Sequence, residues 1–163
     1  MGAIGLLVRV IVTSAARTQV AIIGGGPAGL LLSHILHRNG VDSVVLERQS
    51  RAYVLERIRA GVLEAGTVAL LREIGLGARM DREGHPHDGS AIAWEGRPRF
   101  FIDTKKFTGK QLMSYGQTSL TEDLYAARDK AGGKIMRAVE CDTRGLGRPV
   151  RQTLRSRCHL RPA

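Results

Sequence analysis

An α/β fold built on parallel strands is predicted by three features near the start of this 163-residue chain. Val20, Ile22 and Ile23 form a β-branched run that ends in a cluster of glycines, as a buried strand entering a tight turn does. Leu30, Leu31, Ile35 and Leu36 then recur at the spacing of one helix face, and Asn39-Gly40 supplies the stop. A second run, Ser43 to Leu46, ends in Glu47. Two antiparallel strands can be joined by a hairpin, but a strand, a helix and a strand in succession point to parallel pairing.

The stretch before this unit is different. Residues 1–17 are apolar, with Arg9 in the middle and no acidic residue. A secretory signal carries its positive charge ahead of the apolar run, so an extension without stable structure is expected, with a faint transit-peptide character.

After Glu47 the pattern continues to about Met136. Arg48 to Arg59 reads as a basic loop. Gly61 to Glu64 leads into a helix carrying Val68, Leu70, Leu71 and Ile74, which Gly75 ends. His85 and His87 flank Pro86 in an expected turn. Ala91 to Trp94 and Arg99 to Ile102, separated by Glu95-Gly96-Arg97-Pro98, read as a hairpin with Trp94, Phe100 and Phe101 packed on it. Thr121 is placed to cap a helix running through Leu124, Tyr125 and Ala127 to Gly132. Lys134 to Met136 begins another strand.

Residues 137–163 break the pattern. They hold seven arginines, no lysine, no Phe, Tyr or Trp, and both cysteines, Cys141 and Cys158. Their apolar residues are sparse and aperiodic, so a disordered tail is expected. A frameshift near residue 137 would produce such a change, and the downstream reading frames of the gene test it.

Composition narrows the function. The net charge of +10 sits mainly at the ends: residues 18–136 hold 16 basic and 13 acidic residues. A nucleic-acid module is therefore disfavoured, since the basic tail also lacks interleaved aromatics. No apolar run approaches the roughly 20 residues of a membrane span. Neither the cysteines nor the pairs His34/His37 and His85/His87 make a metal-ligand set.

Gly24, Gly26 and Gly29 occupy the G-x-G-x-x-G positions between strand and helix. There a backbone turn and a helix N-terminus can meet a pyrophosphate, and Glu47, 18 residues after Gly29, suits the ribose of a dinucleotide. A nicotinamide-dependent dehydrogenase would share these features.

Further segments narrow the choice. Val45 to Gln49, Arg57 to Glu64 (Arg-Ile-Arg-Ala-Gly-Val-Leu-Glu) and Tyr115-Gly116-Gln117-Thr118 follow the glycine turn in order. With it they resemble the para-hydroxybenzoate hydroxylase family of class A FAD monooxygenases, over residues 18–136. The resemblance implies a Rossmann-like FAD-binding fold, present here in its N-terminal part and incomplete. It implies that Gly24, Gly26, Ala28 and Gly29 line the pyrophosphate turn and that Glu47 holds the adenosine ribose. Arg57, Ile58, Arg59, Ala60, Gly61 and Val62 would pass beside the flavin and its phosphates, and Gln117 would make a further FAD contact. Arg48, Gln49 and Tyr53 match the segment that docks NADPH. The family also implies a cytoplasmic enzyme, a homodimer in some members, and an aromatic acid substrate held by sequence beyond this segment. No catalytic residue is assigned here, and little hydroxylation, weak FAD retention and poor solubility are expected of these 163 residues alone.

Overall fold

The computed structural model describes residues 18–57, 60–137, 139–140 and 159–160. In chain order the first elements are β1 (Val20–Ile23), α1 (Pro27–Arg38), β2 (Ser43–Glu47), α2 (Arg51–Glu56), β3 (Val62–Leu63), α3 (Ala65–Glu73), α4 (Ala78–Glu83) and β4 (His85–His87). Next come β5 (Ser90–Ile92), β6 (Phe100–Ile102), α5 (Thr104–Thr108), β7 (Leu112–Ser114), α6 (Gln117–Lys130), β8 (Lys134–Arg137), β9 (Val139–Glu140) and β10 (His159–Leu160). They form two compact units, residues 1–54 with 128–163, and residues 55–127.

The first unit contains the expected parallel sheet, in the order β1-β2-β8. Val20 to Ile23 run in register with Ser43 to Leu46, and Val44 to Glu47 with Lys134 to Arg137. The central strand is the most deeply buried, with Val45 and Leu46 in the core beside Ile22 of β1. Helix α1 starts with Pro27, whose fixed φ suits a first helical position, and stops at Asn39 and the positive-φ Gly40. It buries Leu30, Ser33 and His34. The Ser33 hydroxyl meets that of Ser43 at 3.1 Å, so two polar groups that would be costly in the core satisfy one another.

The expected loop at 48–59 contains the helix α2. Ser50 starts it, its hydroxyl accepting from the Tyr53 amide at 3.2 Å, a capping signal hidden among the arginines. The helix buries no residue, which is why no apolar periodicity announces it. Arg51 pairs with Asp129 at 2.6 Å. Arg128 is 3% exposed, and burial pushes its guanidinium below its usual range. It lies so close to Gly133 that a Cβ there would meet the guanidinium at 2.6 Å. Strands β9 and β10 pair antiparallel. The remaining residues of the arginine-rich tail and the leader 1–17 lie outside the described residues.

The second unit holds an antiparallel sheet in the order β3-β7-β4, with Val68, Leu71, Ile74, Met80, Met113 and Tyr115 buried. His85 to His87 are strand, not turn. Pro86 is tolerated because β4 is an edge strand, where one amide donor can be missing. Helix α6 begins at Gln117, four residues before the expected cap. The Thr121 hydroxyl instead donates back to the Gln117 carbonyl at 2.7 Å inside the helix. Two short elements carried no periodic signal, α5 and β7, although Asp103 caps α5 by accepting from the Lys106 amide at 2.8 Å. Among the described residues no helix is long and apolar enough to cross a membrane.

The hairpin β5–β6 forms as expected, pairing Ser90 with Ile102 and Ile92 with Phe100. Its aromatics do not pack. Trp94, Phe100 and Phe101 are 56%, 60% and 51% exposed, and Phe107 of α5 is also exposed. Alternation put one apolar face on each strand, but two strands alone bury neither. Phe100→Ser is therefore expected to change stability by less than about 0.5 kcal/mol while reducing self-association. Urea unfolding and light scattering of the full chain check both parts.

Candidate functional site

The three glycines of the turn after β1 stand there for three different reasons. Gly24 has a φ of +108°, a conformation that residues with a Cβ rarely adopt. Its amide donates to the Leu46 carbonyl at 2.8 Å, tying the turn to the end of β2. Gly29 lies in the first turn of α1, where a Cβ would collide with the Gly24 carbonyl and meet Ile22 Cγ2 at 3.2 Å. Helix and strand meet there with no side chain between them.

Gly26 is the informative position. Its φ of −76° and ψ of −178° are ordinary extended backbone. A Cβ built on it has nothing within 4 Å. Neither backbone conformation nor packing within the chain therefore requires a glycine at 26, and the space above it is open to a ligand. No side chain caps the first turn of α1 and no acidic residue occupies it, so its positive end is left for an anion. These residues fit a diphosphate. Ala28, also in this turn, is exposed.

Glu47 ends β2 beside this turn. Its Oε2 accepts from the Gly25 amide at 2.6 Å and its Oε1 from the Gln49 amide at 2.9 Å. Arg48 is exposed, Gln49 half-buried, and Tyr53 is exposed on α2.

The other candidate residues lie in the second unit. Arg57 and Ala60 are exposed, Val62 is an exposed residue of β3, and Ile58 and Arg59 lie outside the described residues. Gly61 runs directly against Tyr115 and Gly116. Its carbonyl accepts from the Tyr115 amide at 2.7 Å, and a Cβ on Gly61 would clash with the Tyr115 carbonyl and meet the Gly116 Cα at 2.7 Å. Thr118 Oγ1 donates to the Leu55 carbonyl at 3.4 Å. Leu55 and Gly61 thus meet the Tyr115–Thr118 segment, far from them in sequence, in a junction that lies at the start of α6, where Gln117 stands.

A polar cluster not foreseen from the sequence braces this junction. Tyr115, 4% exposed, donates its phenol proton to Asp123 Oδ2 at 2.6 Å. Arg79 reaches Asp123 Oδ1 at 3.2 Å, Glu122 at 3.0 Å and Glu83 at 2.8 Å. Burial, and then the bond to Asp123, push the Tyr115 phenol above its usual range. Arg79, bonded to Glu83, Glu122 and Asp123, is held more firmly protonated. Only the Arg79–Glu83 spacing of four on one helix was a signal in the sequence.

Against known proteins, the family described as FAD binding domain matches residues 17–154. The chain belongs to that family. Its fold is the Rossmann-like α/β fold of the flavin monooxygenases, and its cofactor is FAD. It is 46% identical over 117 residues to p-hydroxybenzoate hydroxylase of Acinetobacter baylyi, covering 71% of this chain and 29% of that one. It is 36% identical over 115 residues to 6-methylpretetramide 4-monooxygenase of Streptomyces rimosus, covering 67% and 26%. The solved OxyS anhydrotetracycline hydroxylase of Streptomyces rimosus superposes with a TM-score of 0.65 at 27% identity, covering 77% of this chain and 25% of that one. The p-nitrophenol 4-monooxygenase PnpA of Pseudomonas putida shares the fold, with a TM-score of 0.64 at 22% identity over 75% and 32%. The chain thus spans about a quarter to a third of the length of these relatives.

Two outcomes follow for this FAD-binding domain. Gly26→Ser is expected to leave stability unchanged or slightly raised, because serine is a good N-cap, yet to weaken FAD binding by filling the open space. Gly29→Ala should instead cost about 2 kcal/mol of stability through overpacking. Denaturant unfolding and flavin fluorescence titration separate the two. The second outcome concerns acid. Bonds from Arg79 and then Arg82 hold the Glu83 carboxyl below its usual range. Its contribution is complete above the ordinary glutamate pKa of about 4.3 and is lost as pH falls through the lowered value. Glu83→Gln should therefore lower the plateau of a stability–pH curve slightly near pH 7 and flatten its acid limb, leaving the most acid end unchanged.

Proposed function

We propose that this chain supplies the FAD-binding part of an NADPH-dependent monooxygenase that hydroxylates 4-hydroxybenzoate to 3,4-dihydroxybenzoate. The observation that carries the substrate assignment is the 46% identity to the Acinetobacter baylyi p-hydroxybenzoate hydroxylase across 117 residues. In this reading the turn from Gly24 to Gly29 faces the FAD diphosphate, and Glu47 accepts from the ribose hydroxyls of its adenosine half. Arg57 and Arg59 neutralise phosphate charge with directed donors, a task suited to guanidinium groups. Ala60, Gly61 and Val62 run beside the flavin, and Gln117 adds a further contact. The exposed Arg48 and Tyr53, with Gln49, form a docking point for NADPH.

Bound FAD supplies the redox chemistry of oxygen insertion, while protein groups bind, orient and exclude water. The 163 residues contribute cofactor binding, and the groups that hold the aromatic acid come from the part of the family's length that this match does not cover. The whole enzyme is placed in the cytoplasm, and a homodimer is one assembly compatible with the family.

The test is a replacement. Residues 18–136 are substituted for the matching segment of the Acinetobacter baylyi hydroxylase, and product is followed by chromatography. The chimera is expected to convert 4-hydroxybenzoate with NADPH, whereas a polypeptide of residues 1–163 alone forms no 3,4-dihydroxybenzoate. A chimera that folds but neither retains flavin nor forms 3,4-dihydroxybenzoate overturns the reading of this segment as the FAD-binding part of such a hydroxylase. Product from residues 1–163 alone overturns the division of labour.

A further inference from the structure

We infer that Glu47 is a positioning residue for the phosphate turn before it is a ribose acceptor: its carboxylate builds the turn in the chain free of ligand. The inference deepens the FAD reading of this site and rests on it only for the second of the measurements below.

The geometry is specific. In the parallel sheet, Ile23 lies opposite Leu46, so the residues that follow each strand leave the sheet side by side. The backbone supplies one tie between them, from the Gly24 amide to the Leu46 carbonyl at 2.8 Å. The side chain of the next residue supplies two more. Glu47 Oε2 takes the Gly25 amide at 2.6 Å, and Oε1 takes the Gln49 amide at 2.9 Å. One carboxylate thus joins the glycine turn to the loop after β2, across 22 residues of sequence.

Gly25 is buried, so its amide cannot be left to water without cost. Gly25 also stands between the positive-φ Gly24 and Gly26, whose carbonyl accepts from the Leu30 amide at 3.0 Å as α1 begins. The carboxylate thus ties the middle of the turn to the end of β2. Each carboxylate oxygen has a second lone-pair direction, so both can still accept from one ribose hydroxyl each. Turn construction and ribose recognition use different halves of the same group.

A glutamine at this position breaks the arrangement. Its amide nitrogen is a donor, and it would face either the Gly25 or the Gln49 N–H, leaving one of them without an acceptor. Aspartate is shorter by one methylene and cannot reach both. A residue that only touched ribose would behave differently, since its replacement would not alter the ligand-free turn. Removing its negative charge would, if anything, favour a bare diphosphate.

The experiment uses the full chain without ligand. Amide exchange is measured by NMR in wild type and Glu47→Gln, with Val45 in the centre of β2 as the internal control. Exchange at Gly25 and Gln49 is expected to accelerate about tenfold, the scale of one lost hydrogen bond to a charged group, with Val45 unchanged. Unchanged protection at both amides overturns the inference. Should the variant fail to fold, wild type decides: a through-hydrogen-bond coupling between the Gly25 nitrogen and the Glu47 carboxyl carbon supports the tie, and its absence overturns it. The second measurement is the affinity for inorganic pyrophosphate, expected to fall about tenfold in Glu47→Gln despite the loss of a negative charge. Equal or tighter binding overturns the positioning role. Wild type that shows no affinity for pyrophosphate while its amides are tied as described overturns the diphosphate reading and leaves the tie standing.

Discussion

The first unit is organised by the close approach of Gly29 to the Gly24 carbonyl. Because no side chain intervenes, α1 begins directly over the end of β1 and its first turn faces the loop above the sheet. Parallel pairing of β1 with β2 then brings Glu47 to the same edge. A bulkier residue at 29 would push the helix off the strand, and the glycine turn would no longer lie within reach of that carboxylate. The placement of the glycine turn beside Glu47 follows from a packing contact between two glycines.

The second unit reaches a similar end by other means. Of its candidate residues only Val62 lies on a sheet strand, the edge strand β3. Gly61 lies in a junction with Tyr115 and Gly116, braced by the Tyr115–Asp123–Arg79 cluster. In each unit one charged group serves several partners at once. Glu47 collects backbone amides, whereas Arg79 collects carboxylates from two helices. Bonds to charged groups are the stronger class, so a few of them can order loops that bury little apolar surface.

Much of this was legible in the residues because it depends on local constraints. Positive φ at Gly24, helix arrest at Asn39-Gly40 and β-branched strands all act within a few positions. The strands β1, β2 and β8 and the helices α1 and α3 were accordingly visible, as was the hairpin at 90–102. What escaped detection depends on partners distant in sequence. The helix α2 buries nothing, β4 is a strand only because β7 lies beside it, and Thr121 sits inside a helix whose start is set by the Tyr115 junction. The exposed aromatics mark the opposite error, since alternation shows which face a strand offers and not whether anything covers it. At the site, the residue types of Gly24, Gly29 and Glu47 were readable. That Glu47 is already engaged by two backbone amides was not, because nothing in the sequence reports the distance from Gly25.

The empty space beside Gly26 also bears on how such a chain would change over generations. Gly24 and Gly29 are demanded by backbone conformation and packing, so their loss would be exposed to selection on folding whether or not any ligand mattered. At Gly26 neither demand applies. In a copy of this gene relieved of cofactor binding, position 26 would be the first of the three to drift, and serine, one base change from several glycine codons, would meet no structural resistance. On the proposed reading, glycine there is a form of molecular memory, held at a position the fold itself would have surrendered.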